Sequence, residues 1–159
     1  MSVRTLRLCA LIVVVLALSA CSPFGRGKQK TSSVSVFSVK PGECFGAPGS
    51  VKTELSSLTR TPCTSAHAQE AYALVTYHAA DGSTPTTYPG ADALTNFAQG
   101  SCAQRFGDYV GVQYLDSSLF FTYLLPSARS WENQSDHDTI CFVTTAGGTL
   151  TASVKGSKK

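Results

Sequence analysis

The feature that most constrains what this chain can fold into is its N-terminus, because it decides how much chain remains to fold and in which compartment. Arg4 and Arg7 precede an apolar run over residues 8–20, which ends in the small residues Ser19 and Ala20. This order is typical of a secretory signal peptide. The apolar run is 13 residues long, short of the roughly 20 that a membrane-spanning helix needs. The pattern predicts an exported chain without a permanent transmembrane anchor.

A cysteine follows the small residues directly. The segment Leu18-Ser19-Ala20-Cys21 resembles the lipobox of bacterial lipoproteins, in which the cysteine receives a diacylglyceryl group and becomes the first residue after cleavage. The alternative is an ordinary signal peptide followed by an unrelated cysteine. The resemblance implies that residues 1–20 are removed and that a lipidated Cys21 anchors the chain to the cell membrane, on its extracytoplasmic face.

The rest of the chain divides by composition. Residues 22–33 are polar, contain glycine and show no hydrophobic periodicity, so residues 21–33 are predicted to be the lipidated cysteine and a flexible tether. Residues 34–156 have the size of one ordinary domain. Residues 155–159 are rich in lysine and are predicted to be a basic, frayed end. Within it, residues 157–159 are predicted to be a tail outside the domain.

The charge of the predicted domain is acidic. Between Val34 and Gly156, six lysine and arginine residues oppose ten aspartate and glutamate residues, which gives a net charge of −4. Nucleic-acid binding requires a basic surface, so the domain is not expected to bind nucleic acid. The sequence also contains no phosphate-binding glycine loop and no dinucleotide fingerprint, and it predicts no cofactor.

The six cysteines of the chain have different predicted fates. Cys9 leaves with the signal peptide and Cys21 receives the lipid. The remaining four lie in an oxidising compartment and contain no Cys-x-x-Cys pair, so they favour two disulfides over a structural zinc site. These four are Cys44, Cys63, Cys102 and Cys141.

Geometry favours one of the three possible disulfide pairings. Cys44 and Cys63 each lie just beyond a predicted strand. Cys102 lies on the apolar stripe of a predicted helix and Cys141 lies within a strand. A helix packed on a sheet brings such α-carbons within the roughly 7 Å that a disulfide needs. The prediction is therefore Cys44–Cys63 and Cys102–Cys141.

Hydrophobic periodicity predicts an α+β domain. One main helix, at about residues 92–110, carries an apolar face at three- and four-residue spacing, with Asp92 as its expected N-cap. A shorter helical turn, capped by Ser127, carries Trp131. The predicted strands cover residues 34–39, 51–63, 70–77, 119–125 and 139–145, with an edge strand at 150–154. Together these elements give an antiparallel sheet of five or six strands packed against the main helix, with two disulfides.

The candidate catalytic residues are His67 and Glu70, which follow Cys63 at a spacing of four and seven residues. A histidine held by a carboxylate can act as a general base. The alternative is a histidine that ties a loop to the following strand by hydrogen bonds. The sequence has no Gly-x-Ser-x-Gly nucleophile motif, which favours the structural interpretation and leaves the catalytic one as a rival.

Two further clusters are weaker candidates. Asp136-His137-Asp138, together with His78, contains metal-ligand side chains, but three adjacent residues on an extended loop cannot all point at one ion, so no metal site is predicted. Aromatic residues could line a carbohydrate or peptide groove, or could serve as core and loop anchors. These are Tyr77, Tyr88, Tyr109, Tyr114, Phe120 and Trp131.

The order of short segments along the chain is the remaining observation. They are Gly42-Glu43-Cys44-Phe45, Pro62-Cys63 with His67 and Glu70, Tyr88-Pro89-Gly90, Cys102 with Phe106, Tyr109-Val110-Gly111, Ser117-Ser118-Leu119, Pro126, Trp131 and Cys141. Together they resemble the septum-formation domain of bacterial envelope proteins, over roughly residues 36–156. Ala66 departs from that pattern, since a proline usually precedes the histidine.

The resemblance implies an extracytoplasmic module of cell division or envelope assembly. The leading hypothesis is a non-catalytic binding or scaffolding role, with an envelope or division protein or peptidoglycan as partner and the plasma membrane as anchor. One alternative is an envelope hydrolase that uses His67 and Glu70. Another is a lipoprotein that binds a small molecule in an apolar cavity.

Overall fold

The computed structural model describes residues 30–48 and 54–159. The predicted signal peptide, Cys21 and most of the predicted tether lie outside the described residues. In the part of the chain that is described, no helix is both long and apolar enough to cross a membrane.

A six-stranded antiparallel sheet forms the centre of the domain, which confirms the predicted α+β class. The strand order is β1-β3-β2-β4-β6-β5, and every pairing is antiparallel. The strands are β1 (Ser32–Ser35), β2 (Cys44–Phe45), β3 (Ser57–Thr61), β4 (Gln69–Thr76), β5 (Phe120–Leu124) and β6 (Asp138–Thr144).

The main helix, α1 (Ala91–Val110), packs on β4, β5 and β6, as the sequence predicted. Its predicted N-cap was wrong by two residues. Gly90 is the N-cap, with a φ of 96° that favours glycine, while Asp92 lies in the first turn. At that position its carboxylate still interacts favourably with the helix dipole.

The second helix, α2 (Ala128–Gln134), begins with the predicted cap at Ser127. The Ser127 side chain accepts from the backbone N–H of Ser130, and the Ser130 hydroxyl accepts from the backbone N–H of Ser127. This reciprocal capping fixes the start of a helix that is only seven residues long.

Residues 34–39 do not form one strand. β1 ends at Ser35, and residues Val36–Ser38 form a 3₁₀ helix. A three-residue turn places Val36 and Val39 on the same side, and both are buried in one hydrophobic cluster. The predicted second strand is shorter as well, since β3 begins at Ser57, and the two-residue strand β2 was not predicted.

The predicted edge strand at residues 150–154 was also wrong. Leu150 makes an isolated bridge with His67, and the backbone N–H of Val154 donates to the Glu70 carboxylate rather than to a strand. The basic end is hydrogen-bonded rather than frayed. Gly156 and Lys158 donate their N–H groups to carbonyls of the last turn of α1, at 2.8 and 2.9 Å, where a helix leaves carbonyls without intrahelical partners.

The sheet has two differently covered faces, because successive side chains of a strand point to opposite sides. The helix face, covered by α1, carries Cys141 and Val143 of β6. The opposite side, which we call the groove face, carries Ile140 and Phe142 of the same strand. A β-bulge in β4 places the extra residue, Tyr72, on the helix face.

Both predicted disulfides are confirmed. Cys44 and Cys63 are joined with their α-carbons 5.2 Å apart, and this bridge links β2 to the residues that follow β3. Cys102 and Cys141 are joined with their α-carbons 5.6 Å apart. The second bridge ties α1 to the centre of the sheet.

Candidate functional site

The structure places His67 inside the protein, with 1% of its surface exposed. Its backbone N–H and carbonyl bond to Leu150 in both directions at 2.9 Å, and its ring Nδ1 lies 2.8 Å from the carbonyl oxygen of Ser65. Nε2 is buried and has no hydrogen-bond partner among the described residues. These contacts make His67 a link between the loop before β4 and the C-terminal segment.

Glu70 lies on the helix face of β4, where its exposure is 0%. Its carboxylate accepts from the Tyr109 hydroxyl, from the Ser153 hydroxyl at 2.6 Å and from the backbone N–H of Val154 at 2.9 Å. Burial raises the pKa of the Tyr109 phenol, and the bond to Glu70 raises it further, so Tyr109 remains a donor at neutral pH. Glu70 therefore connects the sheet, α1 and the C-terminal segment.

His67 and Glu70 are neighbours without forming a catalytic pair. One ring nitrogen of His67, a carboxylate oxygen of Glu70 and the sulfur of Cys44 all lie within 4.8 Å of one another, but no hydrogen bond joins the two side chains in the described structure. Cys44 is bonded to Cys63, and a disulfide sulfur is not the thiolate that a metal site uses. The cluster has the contacts of a structural network.

Trp131 lies on α2 and is buried. Its indole N–H donates to the carbonyl of Pro85 at 3.1 Å, and its ring centroid lies 5.8 Å from that of Tyr77, 6.0 Å from that of Tyr88 and 4.4 Å from that of His137. The indole thus holds the long loop after β4 against α2. Of the aromatic candidates, Tyr88 lines a groove beside this cluster.

That groove lies on the groove face of the sheet and has a volume of about 860 Å³. Its floor includes a row of three cross-strand neighbours, in which Leu74 of β4 and Leu124 of β5 each pair with Ile140 of β6. Leu74 is 39% exposed, and Phe37 at the side of the groove is 52% exposed. The groove therefore offers solvent an apolar floor.

The charged side chains on the groove form what we call the acidic rim: Glu54, Asp136 and Asp138. Hydroxyl groups contact each of them. Ser127 donates to Glu54 at 2.5 Å, Ser130 to Asp136 at 2.9 Å and Thr76 to Asp138 at 2.6 Å. Burial raises the pKa of the Asp136 carboxyl above its ordinary value, and the bond from Ser130 partly opposes that rise.

Among the described residues that line the groove, none is a lysine or an arginine. The described part of the chain contains one ion pair, between Arg60 and Glu43, and neither residue lines the groove. Among the described residues, His137 is the one basic side chain in the lining, and its charge lowers the pKa of Asp136, against the larger effect of burial.

The sequence offered Tyr88 as a possible groove residue but did not predict the apolar floor or the acidic rim. The predicted strand at residues 70–77 gave no sign that one of its apolar side chains is accessible, and the structure leaves Leu74 39% exposed. The sequence suggested Asp136, His137 and Asp138 only as a weak metal cluster. In the structure, all three line the same groove as the floor residues. The sequence feature that could have indicated the rim is the acidic loop between the capped helix α2 and strand β6.

Comparison with known proteins gives one result that covers nearly the whole chain. A model of the family described as septum formation matches residues 7–157. The search of curated proteins and the search of solved structures each found no match.

Proposed function

The chain belongs to the septum formation family, and from that premise we propose that it is a lipid-anchored, non-catalytic binding module on the extracytoplasmic face of the cell membrane. The family indicates a role in cell division or the cell envelope. Within that role, the module binds a partner of the envelope or division machinery through the groove.

The observation that carries this proposal is the groove itself. A concave surface of about 860 Å³ falls within the roughly 300–1,000 Å³ of ligand-binding sites. Exposed apolar side chains gathered in one concavity typically mark a binding surface, whereas single ones scattered over a surface do not. Phe37 and Leu74 meet this description, since both are partly exposed and both line the groove.

The burial of the catalytic candidates supports a non-catalytic role. A general base must reach the proton that it removes, directly or through one water. His67 and Glu70 expose 1% and 0% of their surfaces, and the Glu70 carboxylate already accepts three hydrogen bonds. A peptidoglycan strand or peptide would have to displace the C-terminal segment to reach either side chain.

The proposed anchor rests on the lipobox at Cys21, and the paired cysteines agree with it. An exported lipoprotein folds in an oxidising compartment, where two disulfides of this kind persist. Cys21→Ala should leave the domain folded and release it from membranes, because two acyl chains give stable attachment. Detergent phase partitioning measures this, and a Cys21→Ala protein that stays wholly in the membrane fraction would contradict the anchor.

The groove is tested in cells that lack the protein and are complemented with single variants. Leu74→Asp introduces a charge into the apolar floor and should prevent complementation of septum formation while the protein stays folded and membrane-bound. Leu115→Asp is the matched control, because Leu115 is 92% exposed and does not line the groove. Full complementation by Leu74→Asp would overturn the proposed binding role.

The variant His67→Ala distinguishes the proposed structural role of His67 from the hydrolase alternative. The proposed structural role predicts a lower melting temperature, because the buried ring is removed. Loss of complementation by a protein that melts at the wild-type temperature would instead favour catalysis or direct contact by His67.

A small-molecule ligand is a second candidate, favoured by a groove volume within the range of small-molecule pockets.

A further inference from the structure

We propose that the groove binds a basic, extended peptide segment of a partner protein, with its apolar side chains on the floor and its lysine or arginine side chains at the acidic rim. This inference rests on the proposed function, since it names the class of ligand for the same groove.

The floor has the spacing that an extended segment needs. Leu74, Ile140 and Leu124 form one row across three neighbouring strands, and Thr76 and Asp138 form the adjacent row of β4 and β6. The apolar row and the polar row are two residues apart along each strand, which is the distance between same-side residues of an extended peptide. Side chains on one side of such a peptide can therefore contact both rows.

The rim selects for positive charge. Its three carboxylates accept hydrogen bonds from the hydroxyl groups of Ser127, Ser130 and Thr76, and Asp136 also accepts from the backbone N–H of Asp138. Against these three carboxylates, the described lining contains one histidine, His137, and no lysine or arginine. Their potential consequently attracts cations and repels anions. A lysine or arginine of the ligand supplies the countercharge, whereas an anionic glycan, lipid headgroup or nucleic acid adds repulsion.

The neighbouring strand favours a peptide over a small cation. β5 is an edge strand of the sheet, and its last residue, Leu124, lines the groove. Edge strands present backbone N–H and C=O groups that an added strand can pair with. These groups point outward in the plane of the sheet, so a peptide that extends from the floor past Leu124 can pair with them, whereas a small cation has no backbone with which to do so.

The test uses the full chain, purified from membranes in a non-ionic detergent, and fluorescent peptides measured by anisotropy. A short peptide that alternates valine and lysine should bind saturably, with an affinity that falls as salt is added, because salt screens the rim charges. The same peptide with glutamate in place of lysine should not bind. The same peptide with serine in place of valine should bind more weakly, because it cannot use the floor.

Two variants with matched controls locate the binding. The double variant Asp136→Asn with Asp138→Asn should weaken binding of the valine–lysine peptide by about tenfold or more, the loss expected for charge-assisted hydrogen bonds. Asp92→Asn with Asp116→Asn removes the same charge outside the groove and should leave the affinity within about twofold. Leu74→Ser should weaken binding, whereas Leu115→Ser should not.

Three outcomes would overturn the proposal. They are no saturable binding of the valine–lysine peptide, an equal loss with the control double variant, and displacement of the peptide by spermidine at equal affinity, which would identify a small cation as the ligand. If the peptide fails to bind while Leu74→Asp still prevents complementation in cells, the ligand class is wrong and the binding role stands. If Leu74→Asp complements fully, the binding role itself has failed.

Discussion

The two faces of the sheet differ in what covers the same three strands, β4, β5 and β6. On the helix face, α1, the Cys102–Cys141 bridge and the Glu70 network cover β4, β5 and β6. On the groove face, the 3₁₀ helix after β1 covers one part of the sheet and α2 lies beside another. Between them Leu74 and Leu124 stay partly exposed on either side of the buried Ile140.

The difference shows that coverage, rather than strand pattern, decides which side chains are available to a partner. Ile140 and Cys141 are adjacent in β6 and point to opposite faces. Cys141 is covered by the helix to which it is bonded, whereas Ile140 lies under the groove. The helix face should therefore carry most of the stability and the groove face most of the binding.

The largest expected loss of stability follows removal of the bridge on the helix face. Cys102→Ala with Cys141→Ala opens a cross-link between residues 39 apart, which should cost about 4 kcal/mol of unfolding free energy. Cys44→Ala with Cys63→Ala opens one between residues 19 apart and should cost about 3 kcal/mol. Denaturant unfolding measures both, and a reversed order would contradict the assignment of stability to the helix face.

The next effect concerns the buried carboxylate of the helix face. Glu70→Ala removes the acceptor of three hydrogen bonds. Two of the donors, the Tyr109 hydroxyl and the Val154 N–H, belong to buried residues, and each buried donor left without a partner costs about 1–3 kcal/mol. We expect the unfolding free energy to fall by about 2 kcal/mol or more. Glu132→Ala, on the exposed surface of α2, is the control and should change it little, and equal effects of the two variants would refute the network.

A matched pair of leucines compares the two faces directly. Leu94 of α1 is fully buried, and Leu→Ala at such a position costs about 2–5 kcal/mol. Leu74 is 39% exposed, so Leu74→Ala loses less burial and should cost less than about 1 kcal/mol. Thermal or denaturant unfolding of both variants tests the difference. Equal losses would mean that the floor of the groove is as much a part of the core as α1.

The smallest expected effect is a pH dependence on the groove face. Burial raises the pKa of Asp136 in the folded protein, so the folded state binds a proton more tightly than the unfolded chain does. The resulting stabilisation is complete below the unfolded pKa, for which the ordinary value is 3.8, and is lost as pH rises through the folded pKa.

Asp136→Asn removes this titration. The variant should therefore gain stability relative to the wild type as pH rises from below 3.8 to neutrality. The measurement is the unfolding free energy of both proteins across that range. A difference that does not change with pH would show that Asp136 makes no such contribution, and the rim would then be equally well solvated in both states.

Much of the fold could be predicted from patterns of residues that are close together in the chain. The apolar stripe of α1 has a period that only a helix places on one side, and it predicted the helix to within one residue of its observed start. The serine before α2 predicted its cap for a similar reason, since the capping bonds form within four residues. These features depend on residues close together in the chain, so tertiary contacts did not need to be known.

The wrong secondary-structure predictions lie where contacts with residues distant in the chain outweigh the local conformational preference. The alternating pattern of residues 150–154 favours a strand, but the sheet offers that segment only the bridge at His67, and Glu70 takes the N–H of Val154. Residues 34–39 have high strand propensity, but burial of Val36 and Val39 in one cluster requires a turn. The basic end carries no structural signal and is held by carbonyls of α1.

The sequence by itself determined the fold class, the main helix and the two disulfide pairs, because periodicity and cysteine position express which elements must pack together. It also placed His67 and Glu70 only three residues apart in the chain. Only the tertiary structure decided that both are buried and that the accessible surface is a groove with an acidic rim. That surface brings together residues 37, 54, 74, 124 and 138, and no local pattern records a gap between the elements that cover a sheet.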